Sequence, residues 1–129
     1  MATNRERLMT VVEALGRGDI DAVQALCHPD AELRPTIMAV DSRAFSGPHL
    51  IADWLAFVGE VWDDYGMEFG SVLAETEDKI VFSATQTGRA KASGAPLAEL
   101  RYVVYEFKDE LIWRATGYAT QREALAAVA

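Results

Sequence analysis

The sequence predicts an α+β domain: a strongly curved, mixed or antiparallel sheet, three helices from the N-terminal half packed on its concave face, and a short C-terminal helix. Two observations carry this. Helical periodicity is confined to the first half and the extreme C-terminus, whereas strand patterns fill Met67 to Thr120, and such segregation gives an α+β layer architecture. The hairpin Leu97 to Thr120 then carries large apolar groups on both faces of both arms. Leu100, Tyr102 and Val104 alternate with Val103, Tyr105 and Phe107; Leu111 and Trp113 alternate with Ile112 and Tyr118. A sheet with one wet face alternates more cleanly. The sheet is therefore expected to be covered by helices on one side and by a second subunit on the other, with a cone-shaped pocket under the helices.

Thr3 and Glu6 form a capping box for the first helix, and Leu8, Val11, Val12 and Leu15 fall on one stripe. Gly16 to Gly18 end it, and Asp19 caps a shorter helix with Ile20, Val23 and Leu26 inward, stopped by Pro29. Ala31 to Pro35 reads as an edge strand, because Pro35 lacks a donor. Thr36 to Ser46 reads as a loop. Gly47-Pro48 opens a third helix with the stripe Ile51, Trp54, Leu55, Val58, Val61 and Trp62, ended by Gly66. Strands follow over Met67 to Glu75 and Lys79 to Lys91. The hairpin turns at a short Lys-Asp-Glu segment, and Thr120 with Glu123 caps the final helix.

The chain has 129 residues, half of them hydrophobic, enough for one core in one domain. Its formal net charge of −8 argues against tracking nucleic-acid phosphates or an anionic membrane. The single cysteine, Cys27, precludes a disulfide framework within a subunit, and no apolar leader or membrane-length run is present. A cytoplasmic protein is expected. Two histidines, His28 and His49, without paired carboxylate spacing give no metal site.

The segments Gly18-Asp19-Ile20-Asp21-Ala22-Val23, His28-Pro29-Asp30-Ala31-Glu32 and Phe45 to Leu55 resemble the opening and third-helix start of the nuclear transport factor 2-like superfamily. Trp113-Arg114 through Tyr118, followed by Gln121 to Leu125, is similar to the C-terminal end of its SnoaL-like members. The resemblance implies one domain over residues 1–129, a homodimer through the sheet, no cofactor, and a small hydrophobic molecule as partner. It also implies where catalytic groups would stand. The ketosteroid isomerase-like base and oxyanion donors map to Pro35, Val11 and Val103, none of which transfers a proton. The acidic positions of SnoaL-like cyclases map to Thr116 and Thr120, flanking Tyr118. Limonene-type epoxide hydrolases match only through Glu99-Leu100-Arg101, in reverse order.

Period-two geometry with the family register turns Glu99, Arg101, Val103 and Tyr105, and likewise Arg114, Thr116, Tyr118 and Thr120, toward the cone. Two arginines there need partners or water. Either Arg101 or Arg114 binds a carboxylate, enolate or phenolate while Tyr118 donates a hydrogen bond, or Glu99–Arg114 and Glu32–arginine pairs are structural. The candidate catalytic residues are Tyr118, Arg114 and His49. The candidate ligand-binding residues are Arg101, Val103, Tyr105, Thr116, Trp54, Glu32 and Met38. Trp54, Phe57, Trp62 and Tyr65 wall an apolar pocket or fill core; Met38 and Phe45 form a lid or a plain loop. Cys27 reads as buried and inert beside the second helix. The expected function is small-molecule binding; the alternative is a cofactor-independent acid/base enzyme on a small hydrophobic substrate.

Overall fold

In the computed structural model, residues 2–35 and 44–128 are described. Thr3 caps α1 (Asn4–Gly16) through the capping box: its hydroxyl accepts from the Glu6 amide at 3.1 Å, and the Glu6 carboxylate accepts from the Thr3 amide at 3.4 Å. The Asp19 carboxylate caps α2 (Ile20–Ala25), accepting from the Ala22 amide at 3.1 Å. The strands are β1 (Cys27–Arg34), β2 (Phe45–Ser46), β3 (Trp62–Glu75), β4 (Lys79–Ala90), β5 (Pro96–Lys108) and β6 (Leu111–Tyr118). Helix α3 (Leu50–Val61) precedes β3, and α4 (Gln121–Ala126) ends the fold, capped by Thr120.

The sheet runs in the order β2-β1-β6-β5-β4-β3, curved and unclosed. Among the described residues only the β1–β6 pairing is parallel, so the sheet is mixed. Leu8, Val11 and Ala14 of α1, Val23 of α2, and Leu50, Ile51, Trp54 and Val58 of α3 form one core with Ile80, Phe82, Ala84, Phe107, Ile112 and Ala115 of the sheet. Leu8 is fully buried, worth about 1.5–3 kcal/mol relative to exposure. Across the sheet, α4 lays Ala124 over Val81 and Val104, flanked by Tyr102, Tyr118 and Leu125. The chain's own last helix thus covers part of the face that the sequence reading gave to a second subunit. Among the described residues no helix is long and apolar enough to cross a membrane.

Three boundaries depart from the sequence reading. The first strand begins at Cys27 rather than Ala31, because β6 captures the chain early: the Ile112 amide donates to the Leu26 carbonyl at 2.9 Å and Cys27 pairs with Ile112. Pro29 then falls in the irregular stretch between Cys27 and Glu32, where its missing N–H breaks no ladder. That strand is not an edge, since Phe45–Ser46 pairs outside it; Phe45 is buried with its ring 5.7 Å from Phe57, so it is core rather than lid. Met38 lies outside the described residues.

The third boundary is at the end of α3. Trp62 fits the helical stripe, yet it is extended, begins β3 and pairs with Ala90. The far end of β4 closes the helix instead of Gly66: the Lys91 amide donates to the Val61 carbonyl at 3.0 Å and its ammonium to the Gly59 carbonyl at 2.7 Å. Gly66 sits inside β3 after a register break, with Asp64 at φ 54°. The start of α3 has no side-chain cap of its own. Gln24 of α2 supplies one, accepting from the Ile51 amide at 3.0 Å.

One further irregularity sets the faces of β6. Phe107 pairs with Ile112, but Glu106 pairs with Arg114, so Trp113 is an extra residue in β6. Beyond it Tyr105 lies opposite Ala115 and Val103 opposite Gly117. Arg114, Thr116 and Tyr118 stand opposite Glu106, Val104 and Tyr102, on the α4 face.

Gly88, at φ 155°, meets β3 so closely that an added Cβ would lie 2.9 Å from both the Asp63 carbonyl oxygen and Trp62 Cε3. Gly88→Ala is expected to destabilise the fold by roughly 2 kcal/mol or more, read as a lower urea midpoint at unchanged slope. An unchanged midpoint would show that β3 yields freely there.

Candidate functional site

The helices and the concave sheet face enclose two adjoining cavities. The first, about 80 Å³, lies between α1, β1, α3 and strands β4 to β6. Val11, Leu33, Leu50, Val103 and Ala115 make most of it aliphatic, with Glu32, Gln86 and Arg101 as its polar members. The second, about 440 Å³, lies between the α1–α2 turn and β3, against Gly16, Ile20, Tyr65 and Phe69. Leu15, Trp54, Met67, Phe82 and Tyr105 wall both.

The polar groups in these walls are few. Gln86 is buried in the apolar face of β4, and the Tyr65 hydroxyl donates to its side-chain oxygen at 2.6 Å. Tyr65 also meets Trp54 edge-to-face at 6.0 Å. Trp54 is 7 % exposed and its Nε1 is buried with no acceptor among the described residues. Tyr105 packs edge-to-face on Phe82 at 4.9 Å, and no group among the described residues bonds its hydroxyl. Burial holds the Tyr65 and Tyr105 hydroxyls protonated well above the ordinary phenol range, with Cys27 a smaller contributor at Tyr105. Burial likewise pushes the Cys27 thiol, in the wall of the first cavity, from 9.0 to about 11. The charged members are tied down: Arg101 pairs with Glu99, Glu32 with Arg34, and the Asp19 carboxylate of the second cavity caps α2.

The fold brings together Trp54, Glu32, Arg101, Val103 and Tyr105 from the sequence-predicted set. It separates Arg114, Thr116 and Tyr118 from them, because the bulge at Trp113 reverses the parity that strict alternation assumes. Arg114 instead stacks 4.0 Å from the Trp113 ring and donates to the Asp30 carbonyl at 3.1 Å. Tyr118 packs under α4 and Thr120 is its cap. His49 is the exposed residue before α3 and lines neither cavity. His28 lies in β1, its Nδ1 accepting from the Asp30 amide at 3.0 Å. The expected Glu99–Arg114 pair does not form; Glu99 pairs along its own strand. Among the described residues no cluster of His, Cys, Asp or Glu is arranged to hold a metal.

Sequence reasoning missed Gln86. The signal was available, since Ile80, Phe82, Ala84 and Gln86 share one face of β4 and a glutamine ending an apolar alternation marks a buried polar group. Tyr65, read as pocket wall or core, is the group that fixes it.

The family model described as the SnoaL-like domain matches residues 8–115. No curated protein matches the sequence. Among solved structures, an NTF2-like protein of Burkholderia thailandensis superposes with a TM-score of 0.81 at 15% identity, covering 100% of this chain and 99% of that one. A Catenulispora acidiphila protein with a ketosteroid isomerase-like fold, solved with trimethylamine, gives 0.74 at 17% identity, covering 96% and 92%. A Mycobacterium tuberculosis protein in complex with estradiol-17β-hemisuccinate gives 0.68 at 14% identity, covering 90% and 92%. These similarities show a shared fold.

With the thiol raised from 9.0 to about 11, Cys27 holds about 100-fold less thiolate at neutral pH than a free cysteine. Iodoacetamide is expected to label the native protein that much more slowly than the urea-unfolded chain. The same shift has a stability consequence. Above pH 9 the unfolded thiol ionises while the native one stays protonated to about 11, so stability falls as pH rises across that window. Cys27→Ala is expected to flatten this part of the pH–stability curve; labelling at the unfolded rate would place the thiol in water.

Proposed function

Because the chain belongs to the SnoaL-like domain family, we propose that it binds a small, largely apolar molecule under the helices, without a cofactor and without acid/base turnover. One observation carries the reading. The positions that correspond to the proton-transferring groups of ketosteroid isomerase-like enzymes line the cavity and hold Val11, Pro35 and Val103, while those that correspond to the cyclase carboxylates, Thr116 and Thr120, stand outside it and β6 presents Ala115 and Gly117 there. Apolar walls with a few placed polar groups are the composition of a ligand pocket. The steroid ester bound by the Mycobacterium tuberculosis neighbour supports a ligand of that character.

A second reading rests on Glu32, the one carboxylate among the described residues of the first cavity's wall. It makes the protein a cofactor-independent acid/base enzyme with Glu32 as base, its carboxylate positioned by the ion pair with Arg34. The proposal places the protein in the cytoplasm, where a lone buried thiol stays reduced.

We propose also that the sheet face beyond α4 pairs with a second copy. Leu100 there is 49 % exposed next to half-buried Tyr102, a pairing of apolar groups that association would cover.

Calorimetric titration with a panel of steroids and polyketide-like aromatics tests the main reading. At least one is expected to bind saturably, and Ala115→Leu, which fills the first cavity, is expected to weaken it about tenfold or more. Arg114→Met and Tyr118→Phe, on the opposite face, are expected to leave it within about twofold. Absence of binding across the panel counts against the pocket. A turnover that Glu32→Gln abolishes while binding persists would establish the enzyme reading instead. Sedimentation of wild type and Leu100→Asp reports the dimer: the wild type is expected to be a dimer and the variant a monomer, and a monomeric wild type removes the proposed interface.

A further inference from the structure

The first cavity, at about 80 Å³, is too small for more than a fragment of a typical ligand, whose pockets run to roughly 300–1,000 Å³. The 440 Å³ cavity beside it shares five of its walls, and the two combined fall within that range. We propose that they form one two-chamber site for an elongated, neutral, apolar molecule that carries an oxygen acceptor where the chambers meet. This rests on the small-molecule reading above and specifies its ligand.

The shape follows from which residues line each chamber alone. Glu32 of β1, its side chain 25% exposed, lines only the first. Ile20 at the α1–α2 turn, 37 % exposed, lines only the second. A molecule filling both chambers therefore extends from the β1 wall to the α1–α2 turn and is long rather than round. Met67, 38 % exposed and common to both chambers, is an unbranched, adaptable wall between them.

The acceptor follows from the junction. Trp54 and Tyr105 belong to both chambers, and each brings a donor with no acceptor among the described residues: the indole N–H, buried, and the phenol O–H. A buried donor left unmade is costly, and an oxygen on the ligand removes that cost, directly at the Tyr105 hydroxyl and, after a turn of the indole ring, at the enclosed Trp54 N–H. Neutrality follows from the remaining polar members. Among the described residues three charged side chains line the walls and each already has a partner, Arg101 with Glu99, Glu32 with Arg34, and Asp19 with the Ala22 amide and Arg17, so an anion or cation buried at the junction would gain no free counter-charge there. A ketone, ester or ether oxygen meets the two donors without bringing charge.

Titration of the purified protein with heptanone, tridecanone and an alkylbenzene of tridecanone's length separates the parts. Tridecanone is expected to bind at least tenfold more tightly than heptanone, and Ala84→Leu, which fills only the second chamber, to erase that difference while heptanone binding holds. Ile20→Trp at the exposed far rim is expected to do the same without a core change, which covers the case in which the Ala84 variant does not fold. Tyr105→Phe is expected to weaken tridecanone about fivefold and leave the alkylbenzene unchanged. Equal affinity of both ketones for the wild type, or loss of heptanone binding along with tridecanone binding in Ile20→Trp, overturns the two-chamber site while leaving a single pocket intact. Equal effects of Tyr105→Phe on ketone and alkylbenzene overturn the acceptor at the junction. No binding by any probe overturns the small-molecule reading on which both rest.

Discussion

A single extra residue in β6 decides what the interior of this protein is. Had the hairpin kept the register in which Phe107 faces Ile112, Tyr105 would stand beside Arg114 and Val103 beside Thr116. An arginine and a tyrosine would then project under the helices, where Ala115 and Gly117 now leave space. The bulge at Trp113 removes them to the α4 face and leaves small residues lining the cavity. It is held by more than backbone pairing. Arg114 stacks on the Trp113 ring at 4.0 Å, and the Lys108 ammonium approaches that ring at 5.1 Å, so the kink carries its own cation–π contacts. The Arg114 guanidinium also reaches the Asp30 carbonyl, which ties the bulge to the irregular part of the parallel neighbour β1.

The helix side is positioned by contacts of the same economy. Gln24 caps α3 from α2, fixing the entry of the helix that carries Trp54 into the junction of the cavities. Lys91 closes the other end of α3 onto β4. Between those two anchors Trp54 meets Tyr65, which meets Trp62 at 5.8 Å and donates to Gln86. A chain of aromatic edges and one short hydrogen bond therefore runs from α3 through β3 to β4. Each member positions the next, and the indole N–H of Trp54 at its start is left without an acceptor among the described residues.

Much of the fold was legible in the residues. The capping boxes at Thr3 and Thr120, the Asp19 cap and the Leu97–Thr120 hairpin all form where local chemistry places them, because each depends on neighbours a few residues away. What was not legible depends on partners far along the chain. Trp62 satisfies the helical stripe and the strand equally, and only pairing with Ala90 decides between them. Phe45–Ser46 is a strand solely because β1 lies beside it. Strict alternation placed Tyr105, Val103 and Arg101 correctly on β5, which has no bulge before them, and misplaced Arg114, Thr116 and Tyr118 on β6, which does. The site was half legible for that reason: its β5 wall follows from period two, and its β6 wall follows from one residue out of step.

The chemistry of the interior follows from the same parity. A carboxylate at 116 or 118 on this sheet would stand on the α4 face rather than in the cavity wall, to which that strand contributes Ile112, Ala115 and Gly117. Among the described residues the interior therefore combines hydrogen-bond donors, at Tyr105 and Trp54, with aliphatic walls and two carboxylates, Glu32 committed to Arg34 and Asp19 to the α2 cap. Donors of that kind stabilise an oxygen that is already present, and they would stabilise an enolate further as charge develops on it. Forming the enolate needs a base placed against the carbon that loses its proton. The phenols here are held protonated by burial, and so is the Cys27 thiol, so none of the three serves as that base near neutral pH. Among the described residues Glu32 and Asp19 are the carboxylates left in the walls for the other half of an acid/base pair, and each is already held, by Arg34 and by the α2 cap.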